Sequence, residues 1–348
     1  MTGVGARPGA PGPAAGPPPQ QARSAGQAPA RDARRSCWIL AEDKAGMINQ
    51  ALGLAEALGL EPQLKIIRRR APWKFLPTGL WVAPLQAAGP GSAPLDPPWP
   101  DVLIASGRYT VAPALAIKRR NRGRTFAIYI QDPKVNPERF DVVVVPEHDP
   151  CRGPNVLTTR GALHRITPGR LAAEAARLAP AVADLPHPRV AVLLGGTNRY
   201  YRLTPERGRV LADRLAKLAA DGAGLLITAS RRTEPAVMAA LHERLDGLAV
   251  RIWDGSGENP YFAYLGLADI ILVTADSVSM VSEACSTGKP VYVIELEGGG
   301  RKFHRFHAGL RAAGCTRPFQ GSLERWDYRP LAETGRVAEE IRRRMGAS

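Results

Sequence analysis

Residues 268–296 read ADIILVTADSVSMVSEACSTGKPVYVIEL. Two short β-branched apolar runs, Asp269 to Val273 and Val291 to Ile294, suit strands buried on both faces of a parallel sheet. Between them the spacing predicts a helix, with Asp276 as its N-cap and Gly288, followed by Lys289 and Pro290, as its stop. Asp276, Ser279 and Glu283 stand at i, i+3 and i+7, which puts them on one stripe of that helix. The amino end of such a helix offers free N–H groups and partial positive charge to a phosphate, and Ser277 and Ser279 add hydroxyl donors. Glu283 lies roughly 10 Å further along, at about 1.5 Å per residue. A carboxylate at that separation can take both hydroxyls of a ribose whose diphosphate rests on the helix end.

The flanking sequence repeats the strand–loop–helix pattern. Val190 to Leu194 is an apolar strand ending in Gly195-Gly196-Thr197-Asn198, and Thr204 and Pro205 suit the N-cap and first turn of the next helix. Paired glycines after a strand let backbone N–H groups approach a phosphate, although Gly195 and Gly196 do not form a G-x-G-x-x-G fingerprint. Leu225 to Thr228 is a further strand, and its loop carries Ser230, Arg231 and Arg232. Either arginine can match two oxygens of a diphosphate at once, and Arg231 is taken as the binding residue. Val250 to Trp253 is another strand. Arg301 to Arg311 reads as a basic helix, whose His304 and His307 lack the carboxylate or Cys partner that a zinc site needs.

The preceding half has the same rhythm. Strands at Cys37 to Ala41, Val102 to Ala105, Phe126 to Ile130 and Val142 to Val145 run into loops carrying Asp43, Arg108, Asp132 and His148. Residues scattered in sequence but gathered at one carboxyl edge are how a doubly wound sheet builds a site. Asp43 stands just before a helix beginning near Met47, so capping that helix is its alternative role. Arg68, Trp73, Lys74 and Trp81 belong to a stretch of interleaved cations and rings. Such a stretch suits an anionic membrane surface or, with its aromatics turned inward, a Pro-broken segment on the sheet.

At 348 residues, with 45% hydrophobic and 23% charged residues, the chain is long enough for two globular cores. The net charge of +15 favours anionic partners: nucleotide phosphates, acidic lipids or nucleic acid. No stacking-sheet or groove-reading motif accompanies the charge, so specific nucleic-acid binding is not expected. Residues 1–35, rich in Pro, Ala, Gly and Arg, hold almost no large apolar side chain and are expected to be a disordered tail. Cys37, Cys151, Cys285 and Cys315 show no metal-ligand spacing and read as reduced thiols. No run approaches the roughly 18 apolar residues of a membrane span, and no secretory h-region is visible. The expected location is cytoplasmic, with the option of peripheral attachment to the inner face of a membrane.

Glu283, Gly288 and Pro290 resemble the nucleotide-sugar signature of GT-B glycosyltransferases. The chain from about Cys37 to Phe319 also resembles the mitochondrial fission ELM1 family. That resemblance is carried by Glu42-Asp43-Lys44-Ala45-Gly46 with Asn49-Gln50, Ser106-Gly107-Arg108, Gln131-Asp132-Pro133, Pro146-Glu147-His148-Asp149 and Gly195-Gly196-Thr197. It implies an α/β fold of two Rossmann-like doubly wound domains facing a cleft. An acceptor-side domain over 36–180 would precede a nucleotide-sugar domain over 186–330. A terminal helix within 331–348 would then be free to cross back to the first domain.

The implied activity is metal-independent transfer of a sugar from a nucleotide-diphosphate donor, itself a substrate rather than a cofactor, to an acceptor of lipid-linked or envelope type. Gly195, Gly196, Thr197, Ser230, Arg231, Asp276, Ser277, Ser279 and Glu283 would hold the donor. Asp43, then His148 or Asp132, would serve as base. No D-x-D metal motif occurs, which suits helix ends and arginines in place of a metal. Two other readings stay open. One is a catalytically silent adaptor, since family members in plants help recruit a dynamin-like protein to mitochondria. The other is a UDP-sugar epimerase. The residues leave base, sugar, acceptor and oligomeric state undetermined.

Overall fold

The computed structural model describes residues 1–3, 35–68, 83–86 and 89–346. Most of the expected tail, together with Trp73, Lys74 and Trp81, lies outside the described residues. Arg68 lies within them, exposed and bonded to Asp43 at 3.1 Å.

The first half alternates strand and helix: β1 (Cys37–Ala41), α1 (Ala45–Leu58), β2 (Pro62–Ile66), β3 (Val102–Ser106), α2 (Val111–Arg120), β4 (Phe126–Ile130), β5 (Val142–Pro146) and β6 (Val156–Thr159). These strands form one parallel sheet in the order β2-β1-β3-β4-β5-β6. β1, β3 and most of β5 are continuous apolar runs because they are covered on both faces. Ile39, Ile104, Ile128 and Val142 pack under α1. Leu40, Leu103, Tyr129 and Val143 pack on the opposite face, under α2.

After α3 (Pro168–Leu178), the second half comprises β7 (Arg189–Leu194), β8 (Tyr201–Arg202), α4 (Pro205–Ala220), β9 (Gly224–Ala229), α5 (Pro235–Leu245), β10 (Val250–Ile252) and α6 (Tyr261–Leu267). It continues through β11 (Ile270–Thr274), α7 (Val278–Cys285), β12 (Val291–Ile294), β13 (Glu297–Gly298), α8 (Arg301–Ala312) and β14 (Thr316–Pro318). Its parallel sheet runs β10-β9-β7-β11-β12-β14, and β8 and β13 pair separately as a short antiparallel ribbon. The final helix, α9 (Glu333–Gly346), buries Val337, Ala338, Ile341 and Met345 in the core of the first sheet beside α1.

Each sheet reverses direction once, between β1 and β3 in the first and between β7 and β11 in the second. A doubly wound sheet opens a crevice at the carboxyl ends of the strands flanking that reversal. Both reversals fall at the loops singled out by their polar residues: Glu42 to Gly46 against Ser106 to Tyr109, and Gly195 to Asn198 against Ala275 to Ser277.

One expected cap is corrected. α7 begins at Val278, and Ser277, not Asp276, accepts the N-cap hydrogen bond, from the Met280 N–H at 3.3 Å. Asp276 is instead drawn back into the sheet, because its carboxylate is the acceptor that the β7 loop and Arg232 require.

Candidate functional site

In the second half the site is built on Asp276, which is buried at the end of β11. Its carboxylate accepts from the Thr274 hydroxyl at 2.7 Å, the Gly196 N–H at 3.2 Å and the Arg232 guanidinium at 2.5 Å. Thr274 in turn accepts from the Gly195 N–H at 2.7 Å. A Cβ on Gly195 would sit 2.0 Å from the Asp276 carboxylate, and one on Gly196 would sit 2.0 Å from the Arg232 carbonyl oxygen. The glycines are therefore required by space, so that three loops can close on one carboxylate. Ser230 donates to the Gly195 carbonyl at 2.8 Å, and Thr197 donates to Glu234 at 2.9 Å. Both arginines in this loop are exposed, and it is Arg232, not Arg231, whose guanidinium pairs with Asp276.

The amino end of α7 stays open to a ligand. It has no acidic residue in its first turn, and the Val278 and Ser279 N–H groups and the Ser279 hydroxyl have no partner among the described residues. Glu283, further along α7, is buried and accepts from the Tyr261 hydroxyl at 2.5 Å. Burial pushes its carboxyl up to about 7, against the Tyr261 hydrogen bond, which acts to lower it.

The first half presents its loops to the same place. α1 also lacks an acidic residue in its first turn and a side-chain cap, and a Cβ on Gly46 would lie 3.2 Å from the Ser279 hydroxyl. Two helix amino ends thus meet across the gap between the sheets. Glu42, which the sequence reading passed over, is the buried acid of this half. It pairs with Lys44 at 2.7 Å and accepts from the Tyr109 N–H at 3.2 Å. Gly107 makes room for it, with φ of 104° and a would-be Cβ 2.8 Å from the Glu42 side chain. An acid immediately after a buried strand was the available signal, masked by Asp43 next to it. Further ties join the halves: Asp149 to Lys302 on α8 at 2.6 Å, His148 edge-on to Phe306 at 6.0 Å between ring centres, and the Ala162 N–H to Ser282 at 2.9 Å.

The three candidate bases have different surroundings. Asp43 is exposed and paired with Arg68. Asp132 is partly buried, which raises its pKa, but hydrogen bonds from Lys134 outweigh this and hold it below the usual carboxylate range. His148 is lowered by burial and then by the positive charge of Lys302 and Arg305, against Asp149, so it is neutral near pH 7. Gln131, at the end of β4, has φ of 94°, a conformation rare for a residue with a side chain and one that gathers at functional sites. Among the described residues no group of three or more His, Cys, Asp or Glu side chains could hold a metal ion.

A profile of the family described as mitochondrial fission ELM1 matches residues 45–345. The chain belongs to the mitochondrial fission ELM1 family. Similar curated ELM1-family relatives include the mitochondrial fission protein ELM1 of Arabidopsis thaliana, 35% identical over 275 residues. That match covers 71% of this chain and 64% of the plant protein, less than two thirds of its length. An uncharacterised protein of Rickettsia prowazekii is 27% identical over 359 residues, covering 88% of this chain and 97% of its own. Among solved structures, the UDP-GlcNAc 2-epimerase of Methanocaldococcus jannaschii superposes with a TM-score of 0.56 at 12% identity, over 90% of this chain and all of that one. The same enzyme in complex with UDP-GlcNAc and UDP gives 0.52 at 10% identity, covering 90% of this chain and 99% of its own. This ELM1-family chain thus shares the two-sheet GT-B fold. No helix among its described residues is long and apolar enough to cross a membrane.

Proposed function

We propose that this ELM1-family chain binds a nucleotide-diphosphate sugar between its two sheets and transfers the sugar to an acceptor held by the first half. The observation that carries this reading is the meeting of the α1 and α7 amino ends at Gly46 and Ser279, with no acid in either first turn. Two helix ends facing one point form a site for a diphosphate. Glu283, in its ionised form, accepts the ribose hydroxyls. The Gly195–Gly196 loop, with Arg232 anchored on Asp276, forms the wall behind the phosphates.

His148 is the base of choice under this reading, ahead of Asp43 and Asp132, because it is neutral near pH 7 and Asp132 is held as a weakly basic carboxylate. The acceptor hydroxyl gives its proton to His148 and its oxygen bonds to the sugar's anomeric carbon. The bond from that carbon to the diphosphate breaks, and the departing oxygen keeps the electron pair beside the helix ends.

The test is a thermal-shift screen of the full chain against UDP, GDP, ADP and CMP and their sugar conjugates. A ligand at a hundred times its dissociation constant adds about 2.7 kcal/mol of stability. The expected result is a clear rise with one nucleotide and its conjugate, retained in His148→Asn while transfer is lost. A melting temperature unmoved by every compound removes the donor reading and favours the adaptor role.

A further inference from the structure

Each half of the molecule sets a buried acid at its sheet reversal and ties an exposed cation to it. Glu42 follows β1 directly, and its side chain is 7% exposed. It holds the Lys44 ammonium at 2.7 Å, with 61% of the lysine side chain exposed. Asp276 stands two residues after β11 with its side chain fully buried, and it holds the Arg232 guanidinium, 46% exposed, at 2.5 Å. Glycine makes room for both acids, Gly107 beside Glu42 and Gly195 beside Asp276. Both acids also accept a backbone N–H from the loop across the reversal, Glu42 from Tyr109 and Asp276 from Gly196.

Both cations stand where the local field opposes them. Lys44 is the N-cap residue of α1, and Arg232 is tied to the residue just before the N-cap of α7. A helix amino end carries partial positive charge, which disfavours a cation and favours an anion. Neutralising a buried acid does not require its cation to share that place, and here it happens at both of the amino ends that meet across the cleft. An ammonium has three N–H donors and a guanidinium five. Apart from the bonds to Glu42 and Asp276, the donors of Lys44 Nζ and of the Arg232 guanidinium have no acceptor among the described residues. The Ala45 and Gly46 N–H groups of α1 have none either. An anion with two charged groups would satisfy both sets of donors and relieve the repulsion.

We infer that Lys44 and Arg232 divide a diphosphate between them, Arg232 and the α7 end taking the phosphate next to the ribose, Lys44 and the α1 end taking the second. Glu42 is then a positioning residue, because it fixes the ammonium beside the amino end of α1. The assignment rests on the diphosphate site proposed above and adds what that site selects. Two linked phosphates are preferred to one because each half supplies one cation, and a monophosphate meets only that of the second half.

Calorimetry on the full chain would compare UDP with UMP, GDP with GMP, ADP with AMP, and inorganic pyrophosphate with phosphate. Lys44→Met removes the ammonium but leaves Glu42 buried and unpaired. The Glu42→Gln/Lys44→Met double variant removes both charges, and Gln still accepts from Tyr109. Lys44→Arg restores a cation, and Lys217→Met removes a lysine from an exposed ion pair on α4. Melting curves would establish that each variant folds. The expected result is about tenfold weaker diphosphate binding in both chains that lack Lys44, with the monophosphate changed less than about twofold. Lys44→Arg and Lys217→Met should bind like wild type. Diphosphate affinity unchanged without Lys44 overturns the assignment and leaves nucleotide binding standing. Equal losses for monophosphate and diphosphate overturn it as well, as does a wild-type chain with no preference for the diphosphate. Lys44-dependent binding of pyrophosphate by a chain that binds no nucleotide would uphold the two cations and remove the donor reading. A chain that binds neither removes both.

Discussion

Glu283→Gln is expected to raise the melting temperature at pH 8 by several degrees and to weaken nucleotide binding at the same pH. The carboxyl titrates near 7 in the folded chain against an ordinary value of 4.5. Between those two values the folded protein keeps a proton that the unfolded chain has lost, so stability falls as pH rises through this window and is lowest above it. Burial of the charge accounts for the shift, and about 2.5 pK units correspond to about 3 kcal/mol at pH 8. Gln stays neutral and still accepts from Tyr261, so it escapes that cost. Its advantage should vanish near pH 4.5, grow as pH rises to about 7 and level off above it.

Under the proposed function, the same carboxylate that costs stability accepts the ribose hydroxyls. Losing its charge-assisted bonds should lower affinity by about ten- to a hundredfold. Wild-type binding should correspondingly strengthen as pH rises through 7. Melting curves from pH 4.5 to 8.5, paired with titration of the nucleotide found by thermal shift, check both halves. Parallel melting curves for wild type and variant across that range would refute the buried-charge account.

Gly196→Ala should destabilise the fold by about 3 kcal/mol, the upper end for overpacking a well-filled site. The new methyl would fall 2.0 Å from the Arg232 carbonyl oxygen and 2.7 Å from the Thr233 nitrogen. Both neighbours are backbone, and Arg232 is further tied to Asp276. Neither can swing aside as a long side chain would. Relief requires moving the loop, which lengthens the Gly196 hydrogen bond to Asp276 and leaves a buried carboxylate short of a donor. Denaturant unfolding would show the loss as a lower midpoint. Gly309→Ala, inside α8 with nothing near its would-be Cβ, is the control that should raise the midpoint slightly, by about 0.4–1 kcal/mol, and not lower it. A wild-type midpoint for Gly196→Ala would mean that the loops do not close on Asp276 as described.

The long apolar strands were legible from composition alone. β1, β3, β4, β5, β7, β9, β11 and β12 each coincide, within a residue or two, with a run of Val, Ile, Leu or Ala, because a strand covered on both faces has no polar side to interrupt it. The short edge strands β6 and β14 carry mixed residues, VLTT and TRP, and were not anticipated. Periodicity needs several residues with a consistent apolar face, which neither VLTT nor the triplet TRP provides, whereas the edge strand β10 was legible from its Val and Ile. The helix α5 was likewise unmarked by a side-chain cap, its N-cap Glu234 accepting from Thr197 and not from the N–H groups of its own helix.

At the site, local sequence identified the loops but not the roles within them. That Gly195, Gly196, Ser277, Ser279 and Glu283 follow or open elements of a doubly wound sheet is written in the order of residue types along the chain. That Ser277 rather than Asp276 caps α7, that Arg232 rather than Arg231 pairs with Asp276, and that Glu42 rather than Asp43 is the buried acid depends on contacts between loops far apart in the chain. Each choice lies between adjacent polar residues of similar local propensity. The sequence by itself therefore determined the parallel sheets and which loops stand at their carboxyl edges, because burial of apolar strands is a local pattern. Only the tertiary structure decided which role each member of a neighbouring pair takes, because that depends on which partner distant loops bring within hydrogen-bonding distance.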